Sequence, residues 1–108
     1  MLSFSALIES HFRDQLSIDQ YAYRLGITPA HLNNLARRFT GYTAQDMVHQ
    51  RLVLEAKRQL LYTALSAKQI AEGLGFSEPA YFSRFFKRLT GVSPRAFRSR
   101  DRFKVITP

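Results

Sequence analysis

The chain has no cysteine and no tryptophan, and only 8 Asp plus Glu stand against 16 Lys plus Arg in its 108 residues. Without cysteine there is no disulfide framework and no thiolate nucleophile, and zinc modules that depend on Cys ligands are excluded. Long apolar runs are missing too: no uninterrupted stretch approaches the roughly 20 residues of a membrane span, and the opening MLSFSALIESHFRDQL is broken by Glu9, Arg13 and Asp14. The expectation is a soluble intracellular domain with no membrane association. The shortage of acid leaves a formal charge of +8. Such a bias bears on partners rather than on fold, and it makes polyanions the first partners to consider. With 45% hydrophobic residues and no covalent staple, packing alone must hold the chain, which suits compact helices.

Arrangements that carry chemistry are also lacking. His11, His31 and His49 lie far apart and none belongs to a His-Glu-x-x-His pattern. His31 reads as a packing or backbone-contacting group at the edge of a helix. Glu9, Asp14, Asp19, Asp46, Glu55, Glu72, Glu78 and Asp101 are scattered singly, where capping and helix-dipole interactions explain them. Leu25-Gly26-Ile27 and Leu74-Gly75-Phe76 are turns, not nucleotide cradles. No enzyme activity, metal or cofactor is expected.

What the sequence does have is helical spacing of apolar residues almost throughout, punctuated by caps. The pattern predicts an all-α fold of about seven helices. The first covers about Phe4 to Gln15. Ser17 with Gln20 forms a capping box for a short second helix ending before Gly26, and Thr28-Pro29 opens a third that runs to about Thr40. Thr43 caps a long fourth helix ending near Thr63. Ser66 with Gln69 opens a fifth ending near Gly75; Ser77 caps a sixth through about Thr90; Ser93-Pro94 starts the last, through about Asp101.

The strongest internal feature is a repeat. Pro29, Ala30, Arg38, Thr40 and Gly41 recur as Pro79, Ala80, Arg88, Thr90 and Gly91 at an offset of fifty residues, while Ala22, Leu25 and Gly26 recur as Ala71, Leu74 and Gly75 at forty-nine. One residue has slipped in the intervening turn. Each copy is a short helix, a glycine-containing turn and a longer capped helix, the sequence form of a helix-turn-helix. The alternative is a helical bundle whose turns look alike because Gly and Ser/Thr caps are common punctuation. The units are expected at 1–42 and 64–101, with a linker helix at 43–63 and a frayed tail at 102–108.

In a helix-turn-helix the second helix enters the major groove, where Arg or Lys meets guanine and Asn or Gln meets adenine. In the third helix Leu32, Leu35, Ala36 and Phe39 define the buried stripe, leaving Ala30, Asn33, Asn34 and Arg37 outward. In the sixth, Phe82, Phe85, Phe86 and Leu89 form the core face and Pro79, Ala80, Ser83, Arg84 and Lys87 face out, with Tyr81 counted among the apolar load. Arg84 is the foremost base-reading candidate; the competing reading is a solvated arginine. From Arg84 to Lys104 lie eight basic residues, Arg84, Lys87, Arg88, Arg95, Arg98, Arg100, Arg102 and Lys104, with Asp101 the only acid. Such clustering suits a phosphate backbone, and Thr43 and Ser93 at helix starts either offer backbone N–H groups to phosphates or simply cap. A linker helix of about 20 residues would span about 30 Å, near the about 34 Å between successive major grooves; it could act as a ruler or only as a central bundle helix.

Ile70-Ala71-Glu72-Gly73-Leu74-Gly75-Phe76-Ser77, then Tyr81-Phe82-Ser83-Arg84-Phe85-Phe86-Lys87-Arg88 and Gly91-Val92-Ser93-Pro94-Arg95-Ala96-Phe97-Arg98, closely resemble the signature of the AraC/XylS family of bacterial transcription regulators. The resemblance runs from about Phe4 to Arg100 and implies that family's seven-helix module of two helix-turn-helix units. Ala22, Leu25, Leu32 and Gly41 fit its looser first-unit pattern, and Arg51 with Ala56 its linker helix. It implies base-facing positions at Ala30, Asn33 and Asn34 and at Pro79, Ala80, Tyr81 and Arg84, which moves Tyr81 out of a purely core role. Arg37, Arg38, Thr43, Lys87, Arg88, Ser93, Arg95 and Arg98 are left for phosphates or the groove rim. Asn34 stands where the first unit commonly carries arginine, Ala36 where a phenylalanine often packs, and Phe97 where tyrosine is more frequent.

The function implied is sequence-specific binding of double-stranded DNA to regulate transcription initiation in the bacterial cytoplasm, as an activator that helps recruit RNA polymerase. The different-class alternative is a helical protein-interaction module with a basic surface. Most family members are about three times longer, with an N-terminal effector-binding or dimerisation domain, so the expectation is a C-terminal domain of a longer regulator rather than a naturally short one. The isolated domain is expected to be monomeric.

Overall fold

Polar caps and glycines set the element boundaries. In the computed structural model, which describes the backbone of residues 2–106 and the side chains of residues 3–100, seven α-helices follow one another: α1 (Leu2–His11), α2 (Ile18–Leu25), α3 (Pro29–Thr40), α4 (Ala44–Tyr62), α5 (Ala67–Gly73), α6 (Pro79–Thr90) and α7 (Pro94–Ile106). A 3-10 turn at Phe12–Asp14 follows α1, so the first helix closes before the expected Gln15, which takes a left-handed conformation at φ 56°. The last helix continues past Asp101, for no Gly or Pro interrupts it before Pro108. Thr107 and Pro108 lie outside the described residues, as do the side chains of Arg102 and Lys104.

The two capping boxes form: Ser17 Oγ accepts from Gln20 N–H while the Gln20 side chain accepts from Ser17 N–H, and Ser66 with Gln69 repeats the arrangement. Thr28 Oγ1 accepts from His31 N–H at 3.1 Å, with Pro29 in the first turn behind it. Ser77 does not cap α6. Glu78 holds that place, in extended conformation and without a side-chain capping bond. The reason is the residue that slips between the repeats. Proline at the first helical position fixes the preceding residue as the cap, and the added residue between Gly75 and Pro79 pushes serine one place too early.

The chain divides into a unit ending at Leu52 and another beginning at Val53. In the first, Phe4, Ile8, Phe12, Tyr21, Leu32 and Ala36 are buried, and the Phe4 ring meets Tyr21 edge-on at 5.5 Å. In the second, Phe82, Phe86 and Phe97 form a chain of aromatic contacts at 5.9 and 5.4 Å, while Phe76 packs on Phe82 and Phe85 at 5.4 and 5.3 Å. Ala44, Val48 and Leu52 are buried on the part of α4 that belongs to the first unit, and Val53, Ala56 and Leu60 on the part that belongs to the second. At about 1.5 Å per residue the 19 residues of α4 extend roughly 28 Å.

Two expected core residues are not in the core. Phe39 is 65% exposed and Leu89, its fifty-residue counterpart, is 37% exposed. Both sit in the last turn of their helix, beyond the buried pairs Leu32 and Ala36 or Phe82 and Phe86, so helical period points them along the stripe but past its end. Leu35 is half-buried, whereas Phe85 at the matching position is buried.

Candidate nucleic-acid interface

Each unit builds the same corner. In the first, α2 ends on Gly26, whose N–H donates to the carbonyls of Ala22 and Tyr23 and whose left-handed φ of 71° turns the chain so that the Ile27 N–H reaches back to the Ala22 carbonyl. The chain then turns through Ile27 and Thr28 into α3. In the second, Gly75 at φ 87° makes the equivalent turn, and Phe76, Ser77 and Glu78 lead into α6. Both second helices have 12 residues, start on proline and end on a left-handed glycine, Gly41 or Gly91.

The solvent-facing side of α6 carries most of the expected site. Pro79, Ala80 and Arg84 are exposed and Tyr81 is 51% exposed. The Arg84 guanidinium lies over the Tyr81 ring, its central carbon 4.9 Å from the ring centroid. The two residues stand one helical turn apart, so the aromatic face steadies a cation that would otherwise sample many rotamers. Lys87, Arg88 and Arg95 are exposed, and among the described residues no salt bridge engages Arg84, Lys87, Arg88 or Arg95. Arg88 also covers the edge of the core, with its guanidinium 5.9 Å from the Phe85 ring centroid.

On α3, Ala30, Asn34, Arg37 and Arg38 are exposed. Asn33 is turned elsewhere. It is half-buried, and its Oδ1 accepts from the Ala44 N–H at 3.0 Å, satisfying an N–H at the first turn of α4 that the helix itself cannot pair. The second unit replaces both partners at once: Ser83 stands at the Asn33 position and Pro94, which has no N–H to satisfy, at the Ala44 position. Asn33 is thus committed to the fold of its unit. Asn34 makes no side-chain hydrogen bond among the described residues.

The helix starts are capped by their own side chains. Thr43 Oγ1 accepts from Asp46 N–H and Ser93 Oγ from Ala96 N–H, each at 3.1 Å. Arg98 departs from its expected place at the rim. It is half-buried, its Nε donates to the Leu60 carbonyl at 3.0 Å and its terminal nitrogen to the Thr63 carbonyl at 3.3 Å. These bonds occupy backbone carbonyls at the end of α4, where a cation is also favoured by the helix dipole.

His31, expected as a packing or backbone-contacting group at the edge of the helix, is exposed on α3 with its backbone N–H donating to Thr28 Oγ1; the fifty-residue offset sets it at the position that recurs as Tyr81. Among the described residues no group of three or more His, Cys, Asp or Glu could hold a metal, and no helix is long and apolar enough to cross a membrane.

A family model described as a helix-turn-helix domain matches residues 21–100. The chain is 31% identical over 94 residues to the HTH-type transcriptional activator AarP of Providencia stuartii, covering 87% of this chain and 70% of that protein. It superimposes on an AraC-type transcriptional regulator structure from Chromobacterium violaceum with TM-score 0.78 and 26% identity, over 89% of this chain and 86% of the other. The chain belongs to the AraC/XylS family of helix-turn-helix transcription regulators. The same family fold is found in the DNA-binding domain of AdpA solved with a target DNA, at TM-score 0.87 and 24% identity over 99% of this chain and 96% of that one. Against several other relatives the chain spans between 12% and 39% of their length.

Proposed function

We propose that the chain binds double-stranded DNA sequence-specifically, with α3 and α6 as the groove-entering helices, and that it activates transcription initiation. The observation that carries this reading is the pair of second helices whose outward positions are exposed and uncommitted, Asn34 on one and the Tyr81-stacked Arg84 on the other. Arg37, Arg38, Lys87, Arg88 and Arg95 flank them as exposed cations that fit phosphate contacts. Ala30, Pro79 and Ala80 offer small apolar surfaces suited to a thymine methyl group. Asn33 and Arg98 drop out of the DNA-reading set because both serve the protein's own backbone.

Activation rests on the likeness to AarP, named as a transcriptional activator. It makes RNA polymerase the protein partner and the bacterial cytoplasm the place of action. The isolated domain acts as a monomer, since two units already supply two contacts, and a longer parent protein carries an N-terminal effector-binding or dimerisation domain. Selection from a pool of random duplexes tests the DNA reading. Enrichment of a defined motif is expected, and recovery of unenriched sequence at about 0.15 M salt, where non-specific binding is weak, would reject it. Sedimentation of the free chain tests the monomer.

A further inference from the structure

Laying α6 on α3 by the fifty-residue offset sets Pro29 on Pro79, Ala30 on Ala80, His31 on Tyr81 and Asn34 on Arg84. The helices have the same length, the same proline start and the same glycine stop, so these are equivalent places on equivalent scaffolds. At the sixth residue of each helix stands an exposed polar side chain free of hydrogen bonds among the described residues. The chemistry at that place differs between the two. The Asn34 amide carries one acceptor and one donor group side by side, the complement of adenine, which offers the N6 amino donor beside the N7 acceptor. The Arg84 guanidinium carries donors only, the complement of guanine, which offers the O6 and N7 acceptors. Arginine cannot accept from the adenine amino group, and asparagine on guanine leaves its carbonyl facing acceptors.

We propose that the two helices read different bases from the same position: Asn34 selects an A·T pair through its adenine edge and Arg84 a G·C pair through its guanine edge. The target is then two unlike half-sites and not one element repeated. This inference rests on the reading of α3 and α6 as groove-entering helices. The stacking partner fits the division as well. Arg84 has the Tyr81 ring beneath it, an arrangement that suits a cation, and the neutral Asn34 has the smaller His31 three residues before it. Asn33 does not present the same free edge, because it is half-buried and its amide oxygen accepts from the Ala44 N–H.

The test is selection from random duplexes with the wild-type chain, Asn34→Arg, Asn34→Ala and Arg84→Asn. The wild-type motif is expected to hold one adenine that becomes guanine in Asn34→Arg and loses its preference in Asn34→Ala, with the rest of the motif unchanged. A separate guanine should become adenine in Arg84→Asn. Discrimination at each position should be roughly five- to 150-fold. A motif unchanged by both Asn34 variants, or one altered at the same position by Asn34→Arg and Arg84→Asn, overturns the base assignment while leaving DNA binding intact. Failure of the wild-type chain to enrich any motif overturns the underlying groove-binding reading instead.

Discussion

The Nε of Arg98 donates to the Leu60 carbonyl at 3.0 Å, so a residue in the most basic stretch of the sequence closes the end of a helix in its own unit. Substituting Arg98→Ala strips charge-assisted bonds from the carbonyls of Leu60 and Thr63. Because the side chain is only half-buried, the expected loss is on the order of 1–2 kcal/mol in urea denaturation. Exposed Arg95 should behave oppositely. Arg95→Ala leaves stability within about 0.5 kcal/mol and lowers the slope of log affinity against log salt by about 1.

Phe86 and Phe39 separate core from surface. Phe86 is fully buried against Phe82 and Phe97, and Phe86→Ala should cost on the order of 3 to 5 kcal/mol. Phe39 is 65% exposed, so Phe39→Ala should change stability by no more than about 0.5 kcal/mol. Equal losses in denaturation midpoint would contradict the placement of Phe39 outside the core.

Tyr21 tests the first unit. Its ring is buried and its hydroxyl finds no hydrogen-bond partner among the described residues, so Tyr21→Phe removes an orphaned polar group and should be neutral or stabilising by up to about 1 kcal/mol. Burial raises the Tyr21 pKa above its ordinary 10.0, with the Asp14 charge adding and Arg24 opposing. The folded chain therefore keeps the phenolic proton to higher pH than the unfolded chain. That contribution is fully present below pH 10.0 and fades as pH rises through the higher folded value. Comparing urea midpoints at about pH 8 and about pH 11, the wild type should lose more stability than Tyr21→Phe; equal losses would contradict it.

Tyr81 should govern how well Arg84 discriminates. Tyr81→Ala removes the ring that steadies the guanidinium and should cost about 0.5–1 kcal/mol of sequence preference. Tyr81→Phe keeps the ring and should retain the preference. Equivalent loss in the two variants would point to the hydroxyl rather than to the stack.

The helices and caps were legible because they rest on local chemistry: Ser17 with Gln20 and Ser66 with Gln69 form the bonds their spacing implies. The repeat located both helix-turn-helix corners for the same reason, since glycine and proline act within a few residues of themselves. What escaped is decided by tertiary neighbours. A guanidinium has the same charge whether it meets a phosphate or the Leu60 carbonyl, and nothing local to Arg98 distinguishes them. Asn33 and Asn34 are adjacent identical side chains, and nothing in the sequence tells which of them accepts from the Ala44 N–H. Phe39 obeys the helical period but runs out of core.

The most direct measurement is an anisotropy titration of the chain against its enriched duplex and against a shuffled duplex of the same composition, at about 0.15 M salt. Two groove-reading helices predict that the enriched duplex binds roughly 10³-fold tighter or more. Equal affinities for the two duplexes would contradict sequence-specific recognition and leave only charge attraction between a basic surface and DNA.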